Sequence, residues 1–154
     1  MTRYEGKYTG AGRHIALLAS RFNSAIADQL IAGATDELVR HGVASGDIDT
    51  YMVPGAFDLP AVARRISERG TYDAIVCLGA VIRGATPHFD YVAQEAAKGV
   101  AHVAQTAKCV VVFGVLTCDH MEQAWERAGG KAGNKGADAA RAALELVDLY
   151  THLG

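Results

Sequence analysis

AIVCLGAVI (Ala74–Ile82) is nine residues long and carries no charge. A strand with one face in water alternates apolar and polar side chains, whereas a strand covered by helices on both faces is apolar throughout. Ala74–Ile82 is therefore read as a central strand of a parallel sheet. Downstream, Cys109–Leu116 has the same character. Upstream, His14–Ser20 (HIALLAS) and Asp47–Val53 (DIDTYMV) read as two further strands. Helical patterns separate all four. Asn23 or Ser24 caps a helix with Ile26, Leu30, Ala34 and Leu38 on one face, and Gly42 ends it. A second helix runs from about Asp58 to Arg69 and closes at Gly70, and a third runs from about Tyr91 to Thr106. A short helix near Glu122–Ala128 and a longer one near Gly136–Leu149 follow, joined by the glycine-rich segment Gly129–Gly136. Strands alternating with helices predict an α/β fold, a doubly wound parallel four-stranded sheet with helices on both faces and ligands at the C-terminal strand ends. Residues 1–13 stand outside this pattern. Tyr4, Gly6 and Tyr8 in that arm suit an edge strand that pairs within the sheet or with another chain.

The whole chain, residues 1–154, is expected to form one domain. Hydrophobic residues make up 50% and charged residues 21%, the balance of a chain that folds by burial. Fifteen Lys and Arg against 17 Asp and Glu, with no long run of either sign, give no electrostatic footprint for nucleic acid. No apolar run approaches the roughly 20 residues that span a bilayer, so no membrane partner is expected. MTRYEGK (residues 1–7) lacks the basic and apolar regions of a secretory signal, and the expected location is cytoplasmic. The three cysteines, Cys77, Cys109 and Cys118, form no CxxC pair and no zinc-type spacing; neither a disulfide nor a metal site is expected.

The expected strand-end loops hold the candidate chemistry. RGATPHFD (Arg83–Asp90) joins the central strand to a helix, and the small residues Gly84 and Ala85 expose backbone N–H groups there. With the Thr86 hydroxyl and a helix dipole, they suit a phosphate. A tight strand-to-helix connection is the plainer alternative. His88 is the candidate for proton transfer, because an imidazole titrates near neutral pH. Phe22, Phe57 and Phe113 lie at or near three expected strand ends and suit the two faces of a planar ring. Trp125 reads as helix packing. Arg127 and Lys135 flank the glycine joint and suit an anion. Neither Gly10 and Gly12, which precede their strand, nor Gly129–Gly136, which follows a helix, satisfies a nucleotide-binding pattern.

Six segments together carry a resemblance. SRFN (Ser20–Asn23), VPGAFDLP (Val53–Pro60), GAVIRGATPHFDYVA (Gly79–Ala93), FGVLT (Phe113–Thr117), EQAWERAG (Glu122–Gly129) and KAGNKG (Lys131–Gly136) occur in this order. The chain thereby resembles the 6,7-dimethyl-8-ribityllumazine synthase family over nearly its whole length. The resemblance implies a flavodoxin-like fold. It implies a transferase that condenses 5-amino-6-(D-ribitylamino)uracil with 3,4-dihydroxy-2-butanone 4-phosphate, in the penultimate step of riboflavin synthesis, with no cofactor and no metal. On that resemblance, Phe22 stacks on the pyrimidine, Ala56, Phe57 and Asp58 line the ribityl and ring pocket, and Ala80, Val81 and Ile82 meet the pyrimidine edge. Gly84, Ala85 and Thr86 hold the phosphate together with Arg127 of a neighbouring subunit, and Phe113 and Lys135 complete the site across that interface. His88 moves protons. Asp58 stands where glutamate is commoner, and Cys118 and His120 stand where threonine is commoner.

The same resemblance implies a homo-oligomer, a pentamer whose short glycine joint fits shell-forming members built of twelve pentamers. The N-terminal arm is then the edge strand that pairs with a neighbour's sheet. Two other readings share the fold. A non-catalytic flavin- or lumazine-binding shell predicts the same aromatic pocket without turnover, and a flavodoxin-like electron carrier predicts tightly bound flavin mononucleotide.

Overall fold

In the computed structural model, which describes residues 1–154, four strands alternate with helices along the chain. The order is β1 (Ile15–Ser20), α1 (Ser24–Arg40), β2 (Ile48–Val53), α2 (Leu59–Glu68), β3 (Ala74–Ile82), α3 (His88–Thr106), β4 (Val110–Cys118), α4 (Met121–Arg127), β5 (Ala128–Gly130), β6 (Gly133–Asn134) and α5 (Lys135–Thr151). The strand order is β2-β1-β3-β4 with every pairing parallel, a flavodoxin-like sheet. Chain order reverses between β1 and β3, and the ends of these two strands frame the crevice where such sheets bind ligands.

The period of two along each strand sorts the core into two layers. Ile15, Leu17 and Ala19 of β1 and Val76 and Leu78 of β3 pack on Ile26, Leu30, Ala34 and Leu38 of α1 and on Ala140, Leu144 and Val147 of α5. The alternate residues Ala16, Leu18, Ile75, Cys77 and Val81 pack on Leu59, Ala63 and Ile66 of α2 and on Ala96, Val100 and Val103 of α3. Burying each Leu or Ile fully contributes about 1.5–3 kcal/mol. On the second face, α2 and α3 approach so closely that a Cβ on Gly99 would come within 2.4 Å of Pro60 Cγ. That contact sets the N-terminal end of α2 against the middle of α3.

Boundaries differ from the sequence reading at several informative points. Helix α3 begins at His88, three residues before the expected Tyr91, so His88, Phe89 and Asp90 belong to its first turn. Strand β4 continues past Leu116 to Cys118, which puts Phe113 in mid-strand, half-buried opposite Cys77, and not at a strand end. Asn23 does occupy the N-cap of α1, but with φ 61° it is left-handed and its side chain caps nothing. The glycine joint is a small antiparallel hairpin, β5 with β6. Trp125 is 45% exposed and packs no core. Residues 1–10 add no strand to their own sheet: Lys7 N–H donates to Asp148 Oδ2 of α5 at 2.8 Å, and Gly10 N–H donates to His41 O, just past α1, at 2.9 Å. No helix is long and apolar enough to cross a membrane.

Candidate functional site

A pocket of about 660 Å³ opens at the C-terminal ends of β1, β2 and β3. Three connections build it. After β1, the main chain is tied to the loop beyond β2, with Arg21 N–H donating to Val53 O (2.8 Å) and Phe22 N–H to Pro54 O (3.2 Å). That seats Phe22 beside the turn Gly55-Ala56-Phe57. The turn is held by Asp58, whose Oδ2 accepts from Gly55 N–H at 3.0 Å while Asp58 N–H donates back to Gly55 O at 3.1 Å. The floor is the end of β3, Ala80, Val81 and Ile82, and the far wall is the loop and first turn of α3, with Gly84, Thr86, His88, Phe89, Tyr91 and Val92.

The lining is mostly apolar, yet Phe22, Phe57 and Tyr91 are 70%, 61% and 67% exposed. Three aromatic side chains left in water around one concavity form a surface made for a flat ring or for a neighbouring chain. The wall beside them is polar in its main chain. The N–H groups of Gly84, Ala85, Thr86, His88 and Phe89 donate to no acceptor in the chain, and Asp90 N–H alone in this stretch folds back, onto Pro87 O at 3.0 Å. Unpartnered donors at a helix N-terminus, supplemented by the helix dipole, bind anions. Arg83 spans this loop: its Nη1 donates to Asp90 Oδ1 and its Nε to Asp119 Oδ1, both at 3.2 Å, and its guanidinium lies 4.4 Å from the Phe89 ring centroid.

The structure brings together Phe22, Ala56, Phe57, Ala80, Val81, Ile82, Gly84, Thr86 and His88 of the expected site. Asp58 is adjacent, with one carboxylate oxygen on the Gly55 turn, and does not line the pocket. Ala85 is exposed in the same loop and does not line the pocket. Phe113, Arg127 and Lys135 do not line the pocket of their own chain. Arg127 ends α4, where its Nη1 donates to Gln123 O at 3.1 Å and pairs with Glu126 at 3.5 Å. Burial raises the nearby Cys118 thiol above its ordinary range, with Arg127 pulling the other way.

Gly55, Phe89, Tyr91 and Val92 line the pocket without having been singled out from the sequence. Starting α3 at His88, straight after Pro87, would have found the last two, Tyr91 and Val92, since positions three and four beyond His88 share its helix face. No group of three His, Cys, Asp or Glu side chains is placed to hold a metal ion.

The family profile of 6,7-dimethyl-8-ribityllumazine synthase matches residues 12–151. A protein of that name from Anaeromyxobacter sp. (strain K) is 63% identical over 149 residues, 97% of this chain and 92% of the relative. Its counterpart from Anaeromyxobacter dehalogenans (strain 2CP-C) is 62% identical with the same coverage. One from Anaeromyxobacter sp. (strain Fw109-5) is 57% identical over 97% of this chain and 91% of its own length. The crevice at the β1/β3 reversal, its exposed aromatic rings and its unpartnered N–H groups agree with these similarities: the chain belongs to the 6,7-dimethyl-8-ribityllumazine synthase family.

Proposed function

We propose that this protein is a lumazine synthase, condensing 5-amino-6-(D-ribitylamino)uracil with 3,4-dihydroxy-2-butanone 4-phosphate to give 6,7-dimethyl-8-ribityllumazine, phosphate and water. The observation that carries the reading is the row of unpartnered N–H groups of Gly84, Ala85, Thr86, His88 and Phe89 beside the aromatic pocket. An anion-binding wall next to a ring-binding surface suits one substrate that bears a phosphate and another that bears a pyrimidine.

In this reading Phe22 stacks on the pyrimidine, Ala56 and Phe57 border the ring and the ribityl chain, and backbone groups of Ala80, Val81 and Ile82 meet the pyrimidine edge. Asp58 serves the pocket by holding the Gly55 turn through Oδ2, and its Oδ1 is left to accept from the ribityl chain. Gly84, Ala85 and Thr86 receive the phosphate. The amine of the pyrimidine attacks the ketone to form an imine with loss of water. Phosphate leaves by elimination, and ring closure with a second dehydration completes the lumazine. His88, in the first turn of α3, shuttles protons in these steps. Holding two reactive substrates in register supplies much of the acceleration.

Arg127, Lys135 and Phe113 serve the site of a neighbouring subunit, which their positions away from their own pocket support. The assembly is a pentamer, and twelve pentamers close into a shell. The arm, residues 1–13, is an edge strand that pairs with a neighbour's sheet, and residues 1–154, arm included, act as one domain in the cytoplasm. No cofactor takes part.

Purified protein mixed with both substrates is expected to form lumazine, followed by absorbance, faster than the uncatalysed background, and Arg127→Ala is expected to lose that acceleration. No acceleration by an assembled sample overturns the enzyme in favour of a binding shell. Sedimentation of the same sample reads the subunit number.

A further inference from the structure

We propose that Arg83 is a positioning residue, which through Asp90, Phe89 and Asp119 holds the anion-binding loop and His88 in register with the end of the sheet. The proposal rests on the reading of this pocket as the catalytic site. Residues 84–86 make no main-chain hydrogen bond within the chain, so the loop needs another restraint. Arg83 supplies it from both ends. Its own N–H donates to Cys118 O at 2.8 Å, pinning the start of the loop to β4. Its Nη1 then reaches over the loop to Asp90 Oδ1 at 3.2 Å, and its guanidinium covers the Phe89 ring at 4.4 Å. Phe89 and Asp90 are the two residues that follow His88 in the first turn of α3.

The third contact extends the restraint beyond the loop. Arg83 Nε donates to Asp119 Oδ1 at 3.2 Å, and Asp119 N–H in turn donates to Gln123 Oε1 at 2.7 Å. Gln123 lies in α4, the helix that ends in Arg127. One planar guanidinium thus joins the wall of its own pocket to the segment that carries Arg127. A fork with several fixed donors suits this task, and an ammonium, being a point charge, does not. The Arg83 side chain is 45% exposed, and exposed ion pairs contribute about 0.2–1 kcal/mol each. Its loss therefore leaves the fold standing and shows in geometry, where a displacement of about 1 Å costs up to ~100-fold in rate.

The test uses the assembled wild type, Arg83→Met, Arg83→Lys, Asp90→Asn and Asp119→Asn, with each substrate varied at saturation of the other, alongside melting and sedimentation. Arg83→Met is expected to lower kcat and raise KM for the phosphate substrate by roughly tenfold each, with KM for the pyrimidine within about twofold of wild type. Melting and assembly stay unchanged. Arg83→Lys recovers part of the loss. Asp90→Asn and Asp119→Asn give smaller losses of the same pattern, which vanish in the Arg83→Met background because the three act as one unit. Wild-type kinetics in Arg83→Met, or equal losses for both substrates with a lower melting point, overturn the proposal. So does an inactive Arg83→Met beside silent Asp90→Asn and Asp119→Asn, which assigns Arg83 a direct contact with substrate. An inactive wild type overturns the enzymatic reading and this proposal with it, whereas an active wild type beside a silent Arg83→Met overturns this proposal alone.

Discussion

The two ends of the sheet carry cavities of opposite character. At the C-terminal strand ends lies the pocket of about 660 Å³; at the N-terminal ends lies a larger open cleft of about 890 Å³, bordered by Arg13, Arg64, Tyr72, His102, Lys108 and Tyr150. Size favours the second, and charge lends it the look of an anion site. Helix direction decides otherwise. Helices α2, α3 and α5 bring their C-terminal turns to the cleft, so carbonyl oxygens gather there and its cations balance them. Arg64 is also paired with Glu68 at 3.0 Å and Arg13 with Asp73 at 3.8 Å. At the pocket, α3 brings its N-terminus and a row of N–H groups without partners. In a sheet whose strands are all parallel, the crossover helices run the opposite way, so one end collects donors and the other acceptors.

The sharpest way to break this contrast is to remove chemistry from one end and look for it at the other. His88→Ala is expected to lower kcat for lumazine formation by about 100-fold, the lower range of general acid–base contributions. A wild-type rate in steady-state kinetics would detach the chemistry from the pocket end.

The pocket end also depends on a close approach beneath its floor. Gly79 lies against Ser20, and a Cβ there would come within 2.1 Å of Ser20 Oγ and 3.2 Å of Ser20 Cβ. Gly79→Ala is expected to destabilise by at least about 1–3 kcal/mol, because overpacking against Ser20 adds to the strain of a side chain at the positive φ of Gly79, 156°; urea unfolding reads the loss, and Ser20→Gly is expected to restore only the part due to the contact. Between the two ends, burial pushes the Cys77 thiol up to about 12 from its ordinary 9.0. Above pH 9 the unfolded chain releases this proton and the folded chain keeps it, so the folded state binds more protons and stability falls as pH rises toward 12. Wild type is expected to lose more unfolding free energy between pH 9 and 11 than Cys77→Ala does, measured by urea unfolding at each pH.

A smaller effect tests the floor from its other side. Ser20 is fully buried and its hydroxyl has no hydrogen-bond partner. Ser20→Ala is expected to leave stability unchanged or raise it by under about 1 kcal/mol, because it removes an unsatisfied buried group; a marked fall in the melting temperature would reveal a bond made by that hydroxyl. The smallest effect belongs to the cleft. Arg64→Ala is expected to change stability by no more than about 0.5 kcal/mol and to leave kcat and KM at wild-type values. A loss of activity there would erase the distinction between the two ends.

Much of the pocket was legible because its parts sit at strand ends, and strand ends are local features. Ala74–Ile82 was read with both boundaries correct, since a strand buried on both faces is an apolar run flanked by polar residues. Phe22 and Phe57 followed from the ends of their strands, whereas Ala56 and Ile82 came with the motifs that carry the family resemblance. His88 was found but misplaced in the loop. Pro87 keeps Thr86 out of helical conformation and permits a helix immediately after itself, a signal outweighed by the glycine and threonine before it. Phe113 was misread because an apolar run tells that a strand exists more firmly than where it stops. Asp58 is a pocket residue by the family resemblance, and in the structure its Oδ2 closes back on Gly55 N–H.

By itself the sequence determined the alternation of strands and helices, the burial of the central strand on both faces and the family resemblance, all properties of short periods and contiguous motifs. The strand order β2-β1-β3-β4, the gathering of three loops around one pocket and the clasp of Arg83 on Asp90 and Asp119, 7 and 36 positions away, were decided only by the tertiary structure. Periodicity is written in neighbouring residues. Convergence is not, because partners far apart in the chain meet only after packing has absorbed the entropy of closing the loops between them.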